Sequence, residues 1–163
     1  MKIGIVSDTH NNIELAQKAI KIFSQNRVDL VVHAGDITSS KMLRLFKDFR
    51  CKFVLGNGDI DDDALNAEAA KLGFGKIEAS STFEAGGKKI IVFHGNDVPL
   101  FRAAMASGEY DYVIKGHTHM FENYLSGNTR VINPGALYGA DVFTVAILDP
   151  ETGKVERILI DTE

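Results

Sequence analysis

The chain has 163 residues, a formal net charge of −4, and 45% hydrophobic against 25% charged residues, ordinary globular composition for one domain over residues 1–163. No basic run suits general nucleic-acid binding, and no apolar stretch approaches the ~20 residues that span a bilayer. A single Cys51 allows no internal disulfide, and strand-like sequence from Lys2 leaves no room for a signal peptide, so a cytoplasmic protein is expected.

In chain order, Ile3 to Val6 is a short apolar strand that runs into Ser7-Asp8-Thr9-His10. Helical spacing of Ile13, Ala16, Ala19, Ile20 and Phe23 predicts a helix from Ile13 to Gln25, with Asn11 and Glu14 as a capping box. Leu30 to Val32 is a second strand, ending at His33-Ala34-Gly35-Asp36. A helix over Lys41 to Asp48 has Leu43, Leu45 and Phe46 on its inner side. Phe53 to Leu55 is the third strand, ending at Gly56-Asn57-Gly58-Asp59. This alternation predicts βαβ units and a largely parallel sheet. Asp61 to Asp63 open a helix through Lys71, acidic residues suiting its positive end; they lack the spaced carboxylates and central glycine of a calcium loop.

The second half reads as more antiparallel. Thr82 to Ala85 and Lys88 to Phe93 form a hairpin about Gly86-Gly87. Asp97 to Ser107 is a helix with Pro99 in its first turn, where Phe101 and Met105 pack the core. Tyr112 to Ile114 is a strand leading into Gly116-His117-Thr118-His119. Further strands follow at Phe121 to Leu125, Arg130 to Ile132, Phe143 to Leu148 and Val155 to Ile160.

The chemistry gathers where the apolar runs end. Four of the five histidines fall in Asp8-Thr9-His10, His94-Gly95 and Gly116-His117-Thr118-His119, beside Gly35-Asp36 and Gly56-Asn57-Gly58-Asp59. Imidazoles, carboxylates and one amide, with no thiolate, suit hard-to-borderline cations. Asp8 and His10 are two apart, as are His117 and His119; in extended backbone each pair points to one side of the pleat. Ligands of open α/β sheets bind at the carboxyl ends of strands. Taken singly, each fragment has an ordinary reading: Asp8 as a cap, Gly35-Asp36 and Gly56-Asn57 as turns, His94 as a hydrogen-bonded strand-end histidine. Together they read as a two-metal hydrolytic site. Two divalent cations would cancel the net charge of −4 and make the site electropositive.

The series D-x-H, G-D, G-N-x-D, H-G and G-H-T-H, from Asp8 to a late Asn133-Pro134-Gly135-Ala136 segment, resembles the calcineurin-like metallophosphoesterase superfamily, and within it the small prokaryotic phosphodiesterases. The resemblance implies an α/β fold, a four-layer αββα sandwich of two mixed sheets flanked by helices. It implies two divalent ions, manganese first, with iron, nickel, cobalt or zinc as alternatives. Asp8, His10 and His119 would hold one, Asn57, His94 and His117 the other, and Asp36 would bridge them. A water shared by the ions, lowered in pKa, would attack phosphorus in line with the leaving group. On that reading Asp36, Asn57 and His94 are the catalytic residues.

Many relatives carry a histidine directly after the motif asparagine, suited to protonating the leaving oxygen; here Gly58 stands there. General acid catalysis is worth ~10²–10⁴-fold, so its loss should favour phosphodiesters, or monoesters with acidic leaving groups, unless a proton donor comes from elsewhere. His33 is expected to support the ligands or pack in the core, and Asp59 to orient a metal-binding histidine. Asn133-Pro134-Gly135 reads as a structural turn near the site. The substrate is expected to be a small phosphoester, with no membrane partner and with homo-oligomerisation left open. The alternatives are a phosphomonoesterase, or a non-catalytic scaffold of the same fold like the superfamily's retromer subunit. This chain keeps every ligand type that such a scaffold loses. A protein phosphatase would need a docking surface that a chain this short has little room to add.

Overall fold

Alternation of side chains along each strand decides the layering. In β1 (Ile3–Val6), Ile3 and Ile5 face one way and Val6 the other. In the computed structural model, which describes residues 1–162, β1 is the centre of a first sheet. β2 (Leu30–His33) and then β3 (Cys51–Phe53) lie parallel on one side of it. On the other side, β9 (Thr144–Asp149) and β10 (Lys154–Leu159) lie antiparallel. The second sheet runs β4 (Ser80–Ala85), β5 (Lys88–Phe93), β6 (Tyr112–Ile114), β8 (Thr129–Pro134) and β7 (Phe121–Ser126).

Between the sheets sit Ile3, Ile5, Val32, Ala146 and Leu148 from the first and Ile90, Val92, Ile114 and Ile132 from the second, all buried. The outer face of the first sheet meets α1 (Ile13–Gln25), α2 (Ser40–Leu45) and α3 (Asp62–Leu72) through Phe23, Met42, Leu43 and Leu65. The second sheet turns Ile91, Phe93, Val113 and Val131 towards α4 (Val98–Ser107), where Phe101 and Met105 pack as expected. The result is the expected four-layer αββα sandwich of two mixed sheets. No helix among the described residues is long and apolar enough to cross a membrane.

Local expectations hold with small displacements. Gly86 and Gly87 both have positive φ and close a two-residue hairpin, Ala85 opposite Lys88, a geometry that right-twisted strands favour. The cap of α1 is Asn12, not Asn11: the Asn12 side chain accepts from the Leu15 N–H while Asn11 bonds Ser39. Helix α2 stops at Leu45, three residues before the expected end, and Met42 rather than Leu45 joins Leu43 and Phe46 inside. Strand β3 ends at Phe53 because the chain then leaves the ladder, Val54 bridging Glu78 and the Leu55 N–H donating to the Glu78 carbonyl. The second half is less antiparallel than its sequence suggests, since β5, β6 and β8 run parallel at the centre of their sheet.

Candidate metal centre

Parallel strands of both sheets end at one cleft. The chain leaving β1 carries Asp8 and His10, and that leaving β2 carries Asp36; β5 and β6 deliver His94 and His117 with His119. The loops brace one another: the Asp8 N–H donates to the Gly35 carbonyl, His10 to Asp36 and Gly116 to His94.

The expected extended geometry of the D-x-H and H-x-H pairs is wrong. Asp8, His10, Asp36, His117 and His119 all have φ between 39° and 71°. Left-handed turns, not a pleat, aim these side chains, and a non-glycine residue there costs about 1–2 kcal/mol. Asp and His are among the side chains enriched in that region. Such strain gathers at functional sites because surrounding bonds hold it in place.

Two buried carboxylates organise the centre, each with one oxygen secured and one directed at imidazoles. Asp8 Oδ2 accepts from Ser7 Oγ at 2.6 Å and from the His117 N–H at 3.1 Å. Its Oδ1 lies 3.1 Å from His119 Nε2 and 3.8 Å from His94 Nε2. Asp36 Oδ1 accepts from the Gly58 N–H at 2.7 Å, while Oδ2 lies 3.0 Å from His10 Nε2 and 3.4 Å from His94 Nε2. His94 donates through Nδ1 to the Ala34 carbonyl at 2.8 Å, and His119 through Nδ1 to that of Gly139 at 3.1 Å. A carbonyl only accepts, so in each neutral ring the lone pair is left on Nε2, facing the cluster.

Asp8 Oδ1, His10 Nε2 and His94 Nε2 are buried and have no hydrogen-bond partner among the described residues. Buried polar atoms are seldom left so. Asp8, His10 and His119 offer donor atoms within 4.8 Å of one another, as do Asp8, Asp36 and His94. Either trio could hold a cation, and the donor set fits the divalent ions expected from sequence. The field favours positive charge. Burial works against ionisation of Asp36, yet the His94 imidazole 3.4 Å away and the Gly58 N–H hold its pKa at about 2. Burial likewise works against protonation of His94, but Asp36, the Ala34 carbonyl and Asp8 raise its pKa overall.

The remaining expected residues are placed as follows. The His117 ring lies 5.1 Å from that of His94 and is exposed. Asn57 is exposed on the rim, where it lines a cleft of about 180 Å³ with His94. His33 is fully buried, with Nε2 3.1 Å from Thr9 Oγ1 and its ring stacked on Phe53, outside both trios. Burial first, then the His94 charge, lowers its pKa to about 3, so it is neutral. Asp59 does not orient a histidine. Its Oδ2 accepts from the Asp36 and Gly56 N–H groups at 3.0 and 2.8 Å, and its Oδ1 from the Thr38 N–H at 2.7 Å. It therefore ties the Asp36 loop to the Asn57 loop.

Two glycines are required by close approach. A Cβ on Gly56 would stand 2.5 Å from the Asp36 nitrogen, and one on Gly116 2.6 Å from Asp8 Oδ2. Sequence reasoning missed several supports. Ser7 fixes Asp8, and the Tyr138 ring lies 4.7 Å from that of His10. Asn133 is more than a turn residue: its buried amide donates to the Gly116 carbonyl and to Thr118 Oγ1, pinning the loop of His117 and His119. Its place just before Pro134-Gly135 was the available signal; Ser7 gave none.

Residues 1–153 match the model of the calcineurin-like phosphoesterase superfamily domain. The chain is 32% identical to a phosphodiesterase of Methanocaldococcus jannaschii, over 99% of this chain and all of that one. The solved structure of an archaeal phosphodiesterase superposes with a TM-score of 0.89 at 32% identity, covering 98% of this chain and 99% of that chain. YfcE, a phosphoesterase from E. coli, shares the fold at a TM-score of 0.71 and 16% identity, over 99% and 100% of the two chains. With the motifs, the fold and the converging carboxylates and imidazoles in agreement, the chain belongs to the calcineurin-like phosphoesterase superfamily, and it is a metal-dependent phosphoester hydrolase.

Proposed function

We propose that this hydrolase is a phosphodiesterase that works with two divalent cations, manganese foremost. Asp8, His10 and His119 would hold one, Asn57, His94 and His117 the other, and Asp36 would serve both. The observation that carries this reading is the set of buried ligand atoms on Asp8, His10 and His94 that have no hydrogen-bond partner among the described residues. Held by these residues, divalent cations would supply Lewis acidity, lowering the pKa of water and offsetting charge on the phosphoryl oxygens.

The chain's own residues do the rest. Asp36 is anchored through Oδ1 by the Gly58 N–H, which leaves Oδ2 to offset repulsion between two positive charges. The Ala34 and Gly139 carbonyls keep His94 and His119 in the tautomer that ligates through Nε2. Gly58 brings no acid to the leaving oxygen, which favours diesters with acidic leaving groups. The 32% identical relative is named a phosphodiesterase, in the same direction.

Manganese-loaded protein should hold two ions per chain and hydrolyse bis(4-nitrophenyl) phosphate. His117→Ala should stay folded, lose one ion and lose nearly all turnover. Wild-type turnover by that variant would sink the assignment.

A further inference from the structure

A second cleft, about 260 Å³, opens beside the centre and is lined by His119, Met120, Phe121, Asp141, Val142 and Arg157. His119 belongs to both, so a group bound here would be joined directly to one bound at the centre. The cleft lies where the two sheets meet, since Arg157 comes from β10 of the first and Phe121 from β7 of the second.

Its walls combine three chemistries. Met120 and Val142 are apolar yet 64% and 48% exposed. The Arg157 guanidinium stands 5.2 Å from the centre of the Phe121 ring and makes no ion pair among the described residues; its planar fork is held but unspent. Asp141 is exposed in the same cleft, also without an ion pair among those residues. A larger cleft of about 510 Å³ behind Asp141 and Val142 contains none of the metal-centre residues.

We propose that this cleft binds the nucleobase of a nucleoside-bearing phosphodiester, Arg157 donating to the base's acceptor edge and Asp141 accepting from its amino or imino groups. The proposal rests on the phosphodiesterase reading above and names the substrate class for that site. The charge pattern decides between ligands. A second phosphate would meet Arg157 but be repelled by Asp141, and a plain alkyl or aryl arm would leave both ions unused. A nucleobase has flat apolar faces for Met120 and Val142 together with donor and acceptor edges for the two charges. Arg forks suit adjacent acceptors such as O6 and N7 of guanine, and Asp suits exocyclic amines.

The test uses two diesters with one leaving group: guanosine 5′-(4-nitrophenyl) phosphate and methyl 4-nitrophenyl phosphate. Manganese-loaded wild type should prefer the guanosine ester in kcat/KM. Arg157→Ala should reduce that preference by about tenfold, chiefly through KM, and Arg157→Lys, lacking the fork, should not restore it. Asp141→Asn, isosteric and at an exposed position, gives an independent reading in the same direction. Calorimetry with GMP should show weaker binding to all three variants. A preference within twofold of wild type in all three variants, or absence of a preference in the wild type, overturns the nucleobase subsite. Preferential loss on a substrate with an added phosphate in place of the base overturns it in favour of an anion site. Failure of wild type on both esters is a failure of the phosphodiesterase reading itself.

Discussion

Asp59 touches no histidine of the centre, yet its removal should damage that centre from behind. Its two oxygens accept three backbone N–H bonds, from Asp36 and Gly56 at 3.0 and 2.8 Å and from Thr38 at 2.7 Å. A hydrogen bond to a charged group contributes about 1.5–3 kcal/mol net, and a buried donor left unpaired costs about 1–3 kcal/mol. Asp36 is 3% exposed, so its N–H would be orphaned, whereas Thr38 and Gly56 are half-buried and water can replace part of their loss. Burial also disfavours the Asp59 charge, raising its pKa, which subtracts from what the three bonds contribute. The sum for Asp59→Ala is about 2–4 kcal/mol, a large share of the 5–15 kcal/mol that holds a typical domain together. Asp59→Asn keeps one acceptor but turns an amide donor towards an N–H, so it should fall between wild type and alanine. Urea unfolding of metal-free protein measures the loss without help from ligand binding. Manganese affinity, measured separately, should fall because the Asp36 and Asn57 loops are no longer tied. A stability loss below about 0.5 kcal/mol with unchanged manganese affinity would refute the bracing role.

Two further expectations concern His33 and Gly58, beside the centre. His33 has a folded pKa of about 3 against an ordinary 6.5, so below 6.5 the unfolded chain binds a proton that the folded chain refuses. Its contribution is therefore complete above pH 6.5 and is lost as pH falls towards 3; in metal-free protein the urea midpoint should decline over that window, and less steeply for His33→Gln, an equal decline in both being the contrary result. At Gly58, a Cβ would sit 3.0–3.2 Å from the Asp36 carboxylate, so Gly58→His alters the centre as well as adding an acid. With Gly58→Ala as the steric control, Gly58→His should improve an alkyl phosphodiester more than an aryl one; equal effects on both would count against a missing leaving-group acid.

Much of the fold was legible because period-2 and period-3.6 patterns are local properties. Ile3 to Val6, Lys88 to Phe93 and Ile13 to Gln25 appear as read. Strand partners were not legible. That β9 returns to pair with β1, setting Gly4 opposite Ile147 from the far end of the chain, with β10 added outside β9, depends on burying Ala146 and Leu148 between sheets. The family's site motifs were legible because they are residue types at fixed spacings beside apolar runs, and chemistry limits what such types can bind.

The sequence alone determined the ligand chemistry of the candidate centre: carboxylates, imidazoles and an amide at strand ends, with glycines beside them. Only the tertiary structure decided how they converge. Left-handed turns at Asp8, His10, Asp36, His117 and His119 replace the expected pleat, because bonds between distant loops hold φ values that local preference disfavours. The tertiary fold also assigned the supports. Ser7 and the His117 N–H take one oxygen of Asp8, Asn133 holds the loop of His117, and Asp59 serves backbone rather than histidine. Each of these is a hydrogen bond whose partner is set by three-dimensional proximity, and residue spacing along a chain carries no record of it.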